Sequence, residues 1–152
     1  MSESVEFCLN KATEEEISNH LSICDDDFVP PLSRRVAIGS YAHKIAENAM
    51  RFEAWEADVL VGSIAAYCND SERRIAYITS VSVLRRWQGR GIASRLLELC
   101  VEYVKERGFD CIELEVDSGN VGATKLYEKN SFTLNKMTGR LATMQLNTGR
   151  DA

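Results

Sequence analysis

The run Val83-Leu84-Arg85-Arg86-Trp87-Gln88-Gly89-Arg90-Gly91-Ile92-Ala93 gathers the residue types that hold a phosphorylated ligand. A β-rich segment ends, two glycines follow, and a long amphipathic pattern begins. Such a junction points several backbone N–H groups into one concavity, and the start of a helix adds partial positive charge. Gly89 and Gly91 carry no side chain to block a closely approaching pyrophosphate. Arg85, Arg86 and Arg90 supply cations for its remaining charge. An ordinary strand-to-helix turn, with glycines serving positive φ, is the competing account. A Rossmann dinucleotide site fits poorly, because G-x-G-x-x-G is absent and the preceding strand lies mid-chain after other β segments.

Other reactive side chains are scattered. His20 and His43 are isolated and read as surface or internally satisfied histidines. Five cysteines, Cys8, Cys24, Cys68, Cys100 and Cys111, show no C-x-x-C pair, so no metal site and no secreted disulfide framework is expected. Most of them read as small buried hydrophobes. Asp25-Asp26-Asp27 is either an attractor for a cationic ligand or a solvated loop with a helix cap. Trp55 and Trp87 read as core and loop packing, with stacking of Trp87 on a ligand as the alternative.

The 152 residues suit one compact domain spanning 1–152. With 45% hydrophobic residues, the chain can bury roughly 70% of its unfolded surface and needs no staple. A net charge of −5 argues against nucleic acid as a partner. No apolar run approaches the roughly 20 residues that span a bilayer, and the N-terminal segment lacks the pattern of a signal peptide. No membrane partner and a reducing cytoplasm are the expectations.

The elements that must position the glycine turn follow from periodicity. Residues 5–10 alternate weakly as a first strand. Thr13 and Glu16 form a capping box, and Ile17 and Leu21 give the first helix its buried stripe. Pro30 and Pro31 keep the next segment a loop. Ile38, Tyr41, Ala42, Ile45, Ala46 and Ala49 mark one face of a second helix. Strands are predicted over 51–56, 59–68 and 75–83 as an antiparallel meander. A helix then runs to about Arg107, with Gly108 at its C-terminal cap. Residues 111–116 form a strand parallel to 75–83, closing a βαβ unit. A short helix from about Val121 to Lys129 and a hairpin of 132–136 with 141–146 complete the chain. The fold class is α/β: one twisted mixed sheet flanked by helices on both faces.

Gln88-Gly89-Arg90-Gly91-Ile92-Ala93 resembles the Q/R-x-x-G-x-G/A acetyl-CoA motif of the GNAT superfamily of N-acetyltransferases. The downstream stretch from Leu114 to Phe132, containing Asn120, Ala123, Leu126 and Tyr127, is similar to that family's N-x-x-A-x-x-L-Y-x-x-x-G-F signature. The resemblance covers nearly the whole chain and is sharpest over 75–132. It implies that acetyl-CoA is the cosubstrate. Val81, Ser82 and Val83 would end the strand that hydrogen-bonds the pantetheine arm. Backbone amides of Gln88, Gly89, Arg90, Gly91, Ile92 and Ala93 would hold the pyrophosphate, and Asn120 would contact the cofactor arm. Tyr127 would stand near the thioester sulfur as the acid. The chain departs from the pattern at Asn130-Ser131-Phe132, where the family has glycine before phenylalanine. Asn130 is the residue expected to take up the left-handed conformation there.

Acetyl transfer to an amine needs a base for the amine proton, a donor for the developing oxyanion and an acid for the thiolate. A backbone N–H of strand 75–83 is the natural oxyanion donor. Leu114-Glu115-Val116 is similar to the L-E-V of bacterial N-terminal protein acetyltransferases, which makes Glu115 the candidate base. A solvated, outward-facing strand carboxylate is its alternative. Thr79 and Ser80 either order a relaying water or serve β-propensity alone. Phe28, Pro30, Pro31 and Leu32 follow the first helix, where the family builds its acceptor pocket; plain helix packing competes.

Three functions follow. The first is transfer to a small-molecule primary amine such as an amino sugar, amino acid or polyamine. The second is acetylation of protein N-termini or lysines. The third is a non-catalytic acyl-CoA-binding module, against which Tyr127 counts. A homodimer is compatible with the resemblance, although no residue selects an interface.

Overall fold

The computed structural model of the chain describes residues 4–149. Thr13 starts α1 (Glu14–Ile23) as a full capping box: its hydroxyl accepts from the Glu16 N–H, and Glu16 Oε1 accepts from the Thr13 N–H at 2.9 Å. Two short 3-10 turns, Asp25–Asp27 and Leu32–Arg34, lead to α2 (Ile38–Asn48). The strands are β1 (Glu6–Leu9), β2 (Met50–Glu56), β3 (Val59–Tyr67), β4 (Ile75–Val83), β5 (Cys111–Asp117), β6 (Thr133–Thr138) and β7 (Leu141–Asn147). The helices α3 (Ile92–Glu106) and α4 (Val121–Lys129) complete the described elements.

The seven strands form one sheet in the order β1-β2-β3-β4-β5-β7-β6. β1 to β4 are an antiparallel meander, β4 and β5 are parallel, and β7 returns antiparallel beside β5. α3 and α4 cover one face through Leu96, Leu97, Cys100, Val104 and Tyr127, packed on Val61, Ile64, Ile78, Ile112 and Leu114. α1 and α2 cover the other through Ile17, Leu21, Ala42 and Ile45, packed on Trp55, Leu60 and Ala65. This is the α/β architecture expected from the alternation of patterns.

A charged cluster stands inside the second layer. Arg51, Glu53 and Trp55 share one face of β2. Glu53, fully buried, accepts from the Lys11 N–H, the Ala12 N–H, Arg51 Nε and Trp55 Nε1 at 2.9 to 3.1 Å. Four donors offset the desolvation of this carboxylate, and the cluster ties the segment between β1 and α1 to β2.

β4 carries the irregularity that matters. Ala65 pairs with Ser80 and Ala66 with Ile78, so Thr79 is an extra, bulged residue. The bulge exchanges the faces of the strand. Ala76 and Ile78 face α3, whereas beyond the bulge Val81 and Val83 pack on that side. Ser82 instead reaches α1. The β4–β5 ladder also stops, at Ile78 with Leu114, although β4 runs on to Val83 and β5 to Asp117. The two strands therefore diverge and leave a gap.

The end of α4 corrects one expectation. Asn130 has φ −97° and is not left-handed; Ser131, with φ 73°, is. The Phe132 N–H reaches the Tyr127 carbonyl and the Ser131 N–H that of Glu128, both at 3.0 Å, which is a Schellman termination. Asn130 stays near the helical region because its Nδ2 donates to the Leu126 carbonyl at 2.8 Å. The Phe132 ring packs on the Tyr127 ring, with centroids 6.0 Å apart. The departure at 130–132 thus leaves Tyr127 anchored.

Candidate active site

The gap between β4 and β5 is the floor of the site. The Leu84 N–H donates to Val61 on β3, so alternation turns the main-chain groups of Ser82 toward β3 and those of Val81 and Val83 into the gap. The Val83 carbonyl confirms this direction by accepting from Gln88 Nε2 at 3.0 Å. An open strand edge of this kind pairs with an extended, amide-bearing ligand.

The glycine turn closes one end. Gly89 and Gly91 have φ +77° and +80°, and a Cβ at either would meet nothing within 4 Å. Positive φ, rather than crowding, is what demands glycine in this structure. The first bond of α3 runs from the Arg95 N–H to the Gly91 carbonyl. The N–H groups of Gly89, Gly91, Ile92 and Ala93 donate to no acceptor among the described residues. Converging N–H groups at a helix N-terminus fit a pyrophosphate. Gln88 differs from its neighbours, because its N–H already donates to the Arg85 carbonyl and its side chain is pinned between Val83 and Asp27.

The basic residues are arranged less simply than their sequence positions imply. Arg85, 76% exposed, pairs with Asp27 Oδ1 at 2.6 Å. The guanidinium groups of Arg86 and Arg90 lie over the buried Trp87 ring, at 5.6 and 4.7 Å from its centroid. Asp27 therefore latches the α1–α2 segment to the glycine turn. Asp25 serves the loop itself, accepting from the Ser33 N–H and hydroxyl, both at 2.7 Å, and these bonds hold its carboxyl below the usual range.

A cleft of about 310 Å³ runs over the gap and brings Tyr127, Glu115, Asn120 and Val81 together with Tyr77, Arg35 and Phe28. Tyr127 is 6% exposed, and burial alone pushes its phenol up to about 12. Its hydroxyl makes no hydrogen bond to a described residue. Glu115 is exposed and accepts from the Tyr77 hydroxyl at 2.8 Å. Asn120 caps α4, its Oδ1 accepting from the Ala123 N–H at 3.2 Å, which leaves Nδ2 for a ligand. Tyr41 Oη donates to Thr79, whose carbonyl and hydroxyl oxygens both lie 2.7 Å away, and so braces the bulge.

A neighbouring cleft of about 340 Å³ joins Val81, Ser82, Val83, Gln88, Ala93 and Asn120 to Cys24, Asp27 and Phe28. Together the two clefts collect Val81, Ser82, Val83, Gln88, Ala93, Asn120, Glu115 and Tyr127, whereas Gly89, Arg90 and Gly91 line neither and the Ile92 side chain is directed into the core. Sequence reasoning did not single out Tyr77, Arg35 or the His20–Ser82 contact. Tyr77 was findable, since it stands opposite Glu113 in the register that places Glu115 one pleat further on. Among the described residues, no group of three or more His, Cys, Asp or Glu side chains is placed to hold a metal ion, and no helix is long and apolar enough to cross a membrane.

The chain is similar to known proteins in sequence and in fold. The model of the acetyltransferase (GNAT) family matches residues 13–132. GCN5-related N-acetyltransferase 4, chloroplastic, of Arabidopsis thaliana is 30% identical over 132 residues, which are 82% of this chain and 41% of that protein. N-alpha-acetyltransferase MAK3 of Arabidopsis thaliana is 33% identical over 123 residues, 80% of this chain and 63% of that protein. The chain thus spans roughly half the length of these curated relatives. The PaiA N-acetyltransferase from Thermoplasma acidophilum, solved in complex with coenzyme A, aligns with a TM-score of 0.73 at 15% identity, over 95% of this chain and 99% of that one. At that identity the likeness is one of fold.

Proposed function

The chain belongs to the acetyltransferase (GNAT) family, and from that premise we propose that it moves an acetyl group from acetyl-CoA directly to a primary amine. The observation that carries this reading is the open β4 edge running from an N–H-rich turn to a buried, unbonded phenol. The amides of Gly89, Gly91, Ile92 and Ala93 hold the pyrophosphate. Val81 and Val83 pair with the pantetheine arm, Asn120 Nδ2 donates to it, and Gln88 fixes the turn through its side chain. Acetyl-CoA supplies an activated acyl group as a thioester.

The remaining chemistry belongs to the chain's own residues. Glu115 takes the amine proton, directly or through a water, with Tyr77 holding one of its oxygens. The Val81 N–H, turned into the gap, donates to the oxygen on which charge develops. Tyr127 gives its proton to the departing sulfur. Its pKa of about 12 keeps it protonated, and so able to donate, at neutral pH.

The acceptor class has two readings. A small amine fills the cleft beside Glu115 and needs nothing beyond it. A peptide N-terminus is favoured by a different observation. Tyr77 also lines a second cleft, of about 410 Å³, together with Lys44, Asn48, Tyr67, Asn69 and Glu113. Calorimetry with acetyl-CoA tests the first step, and an acceptor screen of amino sugars, polyamines and short peptides tests the second. Saturable micromolar binding followed by acetylation of one class is expected. Folded protein that binds no acetyl-CoA would refute the reading.

A further inference from the structure

A buried histidine beneath the cleft takes no part in the chemistry above. His20, on α1, is 3% exposed, and both ring nitrogens are engaged: Nδ1 lies 3.0 Å from the Leu60 carbonyl oxygen and Nε2 lies 2.9 Å from Ser82 Oγ. A carbonyl only accepts, so Nδ1 carries the proton. Burial holds the imidazole below its usual pKa, which keeps the ring neutral and Nε2 a bare acceptor. The Ser82 hydroxyl must therefore donate to Nε2. The Cys24 thiol, 3.8 Å from the same nitrogen, is a second donor, and burial pushes it up to about 11. With its single proton committed, Ser82 Oγ offers only lone pairs to anything else. Ser82 lines the cleft between Val81 and Val83, with its main chain turned to β3.

We infer that Ser82 Oγ accepts a hydrogen bond from an amide N–H of the pantetheine arm, with His20 as the positioning residue that fixes the polarity of the hydroxyl. The inference rests on the acetyl-CoA reading. A freely rotating hydroxyl would donate or accept and would tolerate an amide or an ester equally. The held hydroxyl accepts only, and so it discriminates between them. Ser82 thus adds a side-chain contact at the one residue of this strand end whose main chain faces away from the gap.

Calorimetry on the full chain with coenzyme A and two analogues, each with one pantetheine amide replaced by an ester, tests this. Wild type should bind one ester analogue roughly 3- to 10-fold more weakly than coenzyme A, the size of one net hydrogen bond. Ser82→Ala should bind coenzyme A more weakly by the same factor and no longer distinguish it from that ester. His20→Gln, whose side-chain oxygen can accept at the Nε2 position, should keep the discrimination, and His20→Leu should lose it. Should His20→Leu fail to fold, the Ser82→Ala and His20→Gln pair decides. Ser82→Ala discriminating as wild type does would overturn the Ser82 inference while leaving acetyl-CoA binding intact. Wild type that binds no coenzyme A would remove the underlying reading and this inference with it.

Discussion

Tyr127→Phe separates chemistry from architecture because of where the hydroxyl stands. The ring is buried against Phe132, with centroids 6.0 Å apart, and phenylalanine preserves that contact. The hydroxyl has no partner among the described residues, so removing it breaks no hydrogen bond and should change stability at neutral pH by under about 1 kcal/mol. With a pKa of about 12, the phenol is ionised in only about one molecule in 10⁴ at pH 8. Loss of this acid should lower kcat about 10²-fold, or ~2.7 kcal/mol in the barrier. Acetyl-CoA affinity should hold within about twofold, since the turn and strand edge are untouched. Thiol release under saturating acetyl-CoA reads kcat, and calorimetry reads affinity. A second readout follows from the raised pKa. The unfolded chain ionises this group from pH 10 upward and the folded chain only near 12. Stability is therefore full below pH 10 and falls by on the order of 2–3 kcal/mol between pH 10 and 12. Tyr127→Phe should lack that part of the alkaline loss. An unchanged kcat would refute the acid assignment, and a large loss of stability at neutral pH would mean the hydroxyl has a structural partner.

Three further substitutions probe the turn and the helix that positions Tyr127. Gly91→Ala adds a Cβ that meets nothing, so only the strain of φ +80° remains, and chemical denaturation should read a loss of roughly 1 kcal/mol. Gly91→Glu adds a carboxylate beside the converging amides and should abolish coenzyme A binding; preserved affinity would place the phosphate site elsewhere. Ser131→Gly relieves the left-handed residue of the Schellman termination and should stabilise the fold by about 0.5–1 kcal/mol. A loss of stability there would show that the serine hydroxyl contributes more than its backbone conformation costs.

Elements whose evidence is local were legible in the sequence. Thr13 and Glu16 are three residues apart, and one turn of chain suffices to form their box. The βαβ unit around the glycine turn was legible because its strand, turn and helix patterns follow one another without interruption. What escaped were the side-chain contacts made across long separations. Asp27 looked like one of three solvated aspartates, and its bond to Arg85 spans 58 residues. His20 looked isolated because its partners, Leu60 and Ser82, are 40 and 62 residues away. Glu53 alternates as any strand carboxylate would. Only the packing of α1 and α2 over β2 shows that this face is interior, and that Arg51 and Trp55 stand beside it.

The bulge at Thr79 lies between these cases. Burial alternates along β4 without a break, with Ala76, Ile78, Ser80 and Ser82 all buried, so a period-two pattern assigns them to one face. The side-chain chemistry says otherwise. Even positions change from Ala76 and Ile78 to Ser80 and Ser82, while odd positions change from Tyr77 and Thr79 to Val81 and Val83. The apolar stripe slips by one residue at Thr79, which is what one inserted residue does to a strand. That slip has three consequences at once. It delivers Ser82 to His20 on α1. It places Val81 and Val83 on the α3 side, with their amides facing the gap. It also coincides with the last β4–β5 pair, Ile78 with Leu114, beyond which the strands separate. A regular β4 would keep its ladder with β5 and close the gap over which the cleft holding Glu115 and Tyr127 runs. The candidate site is therefore opened by a phase slip in an apolar pattern, and that slip is written in the nine residues from Ile75 to Val83.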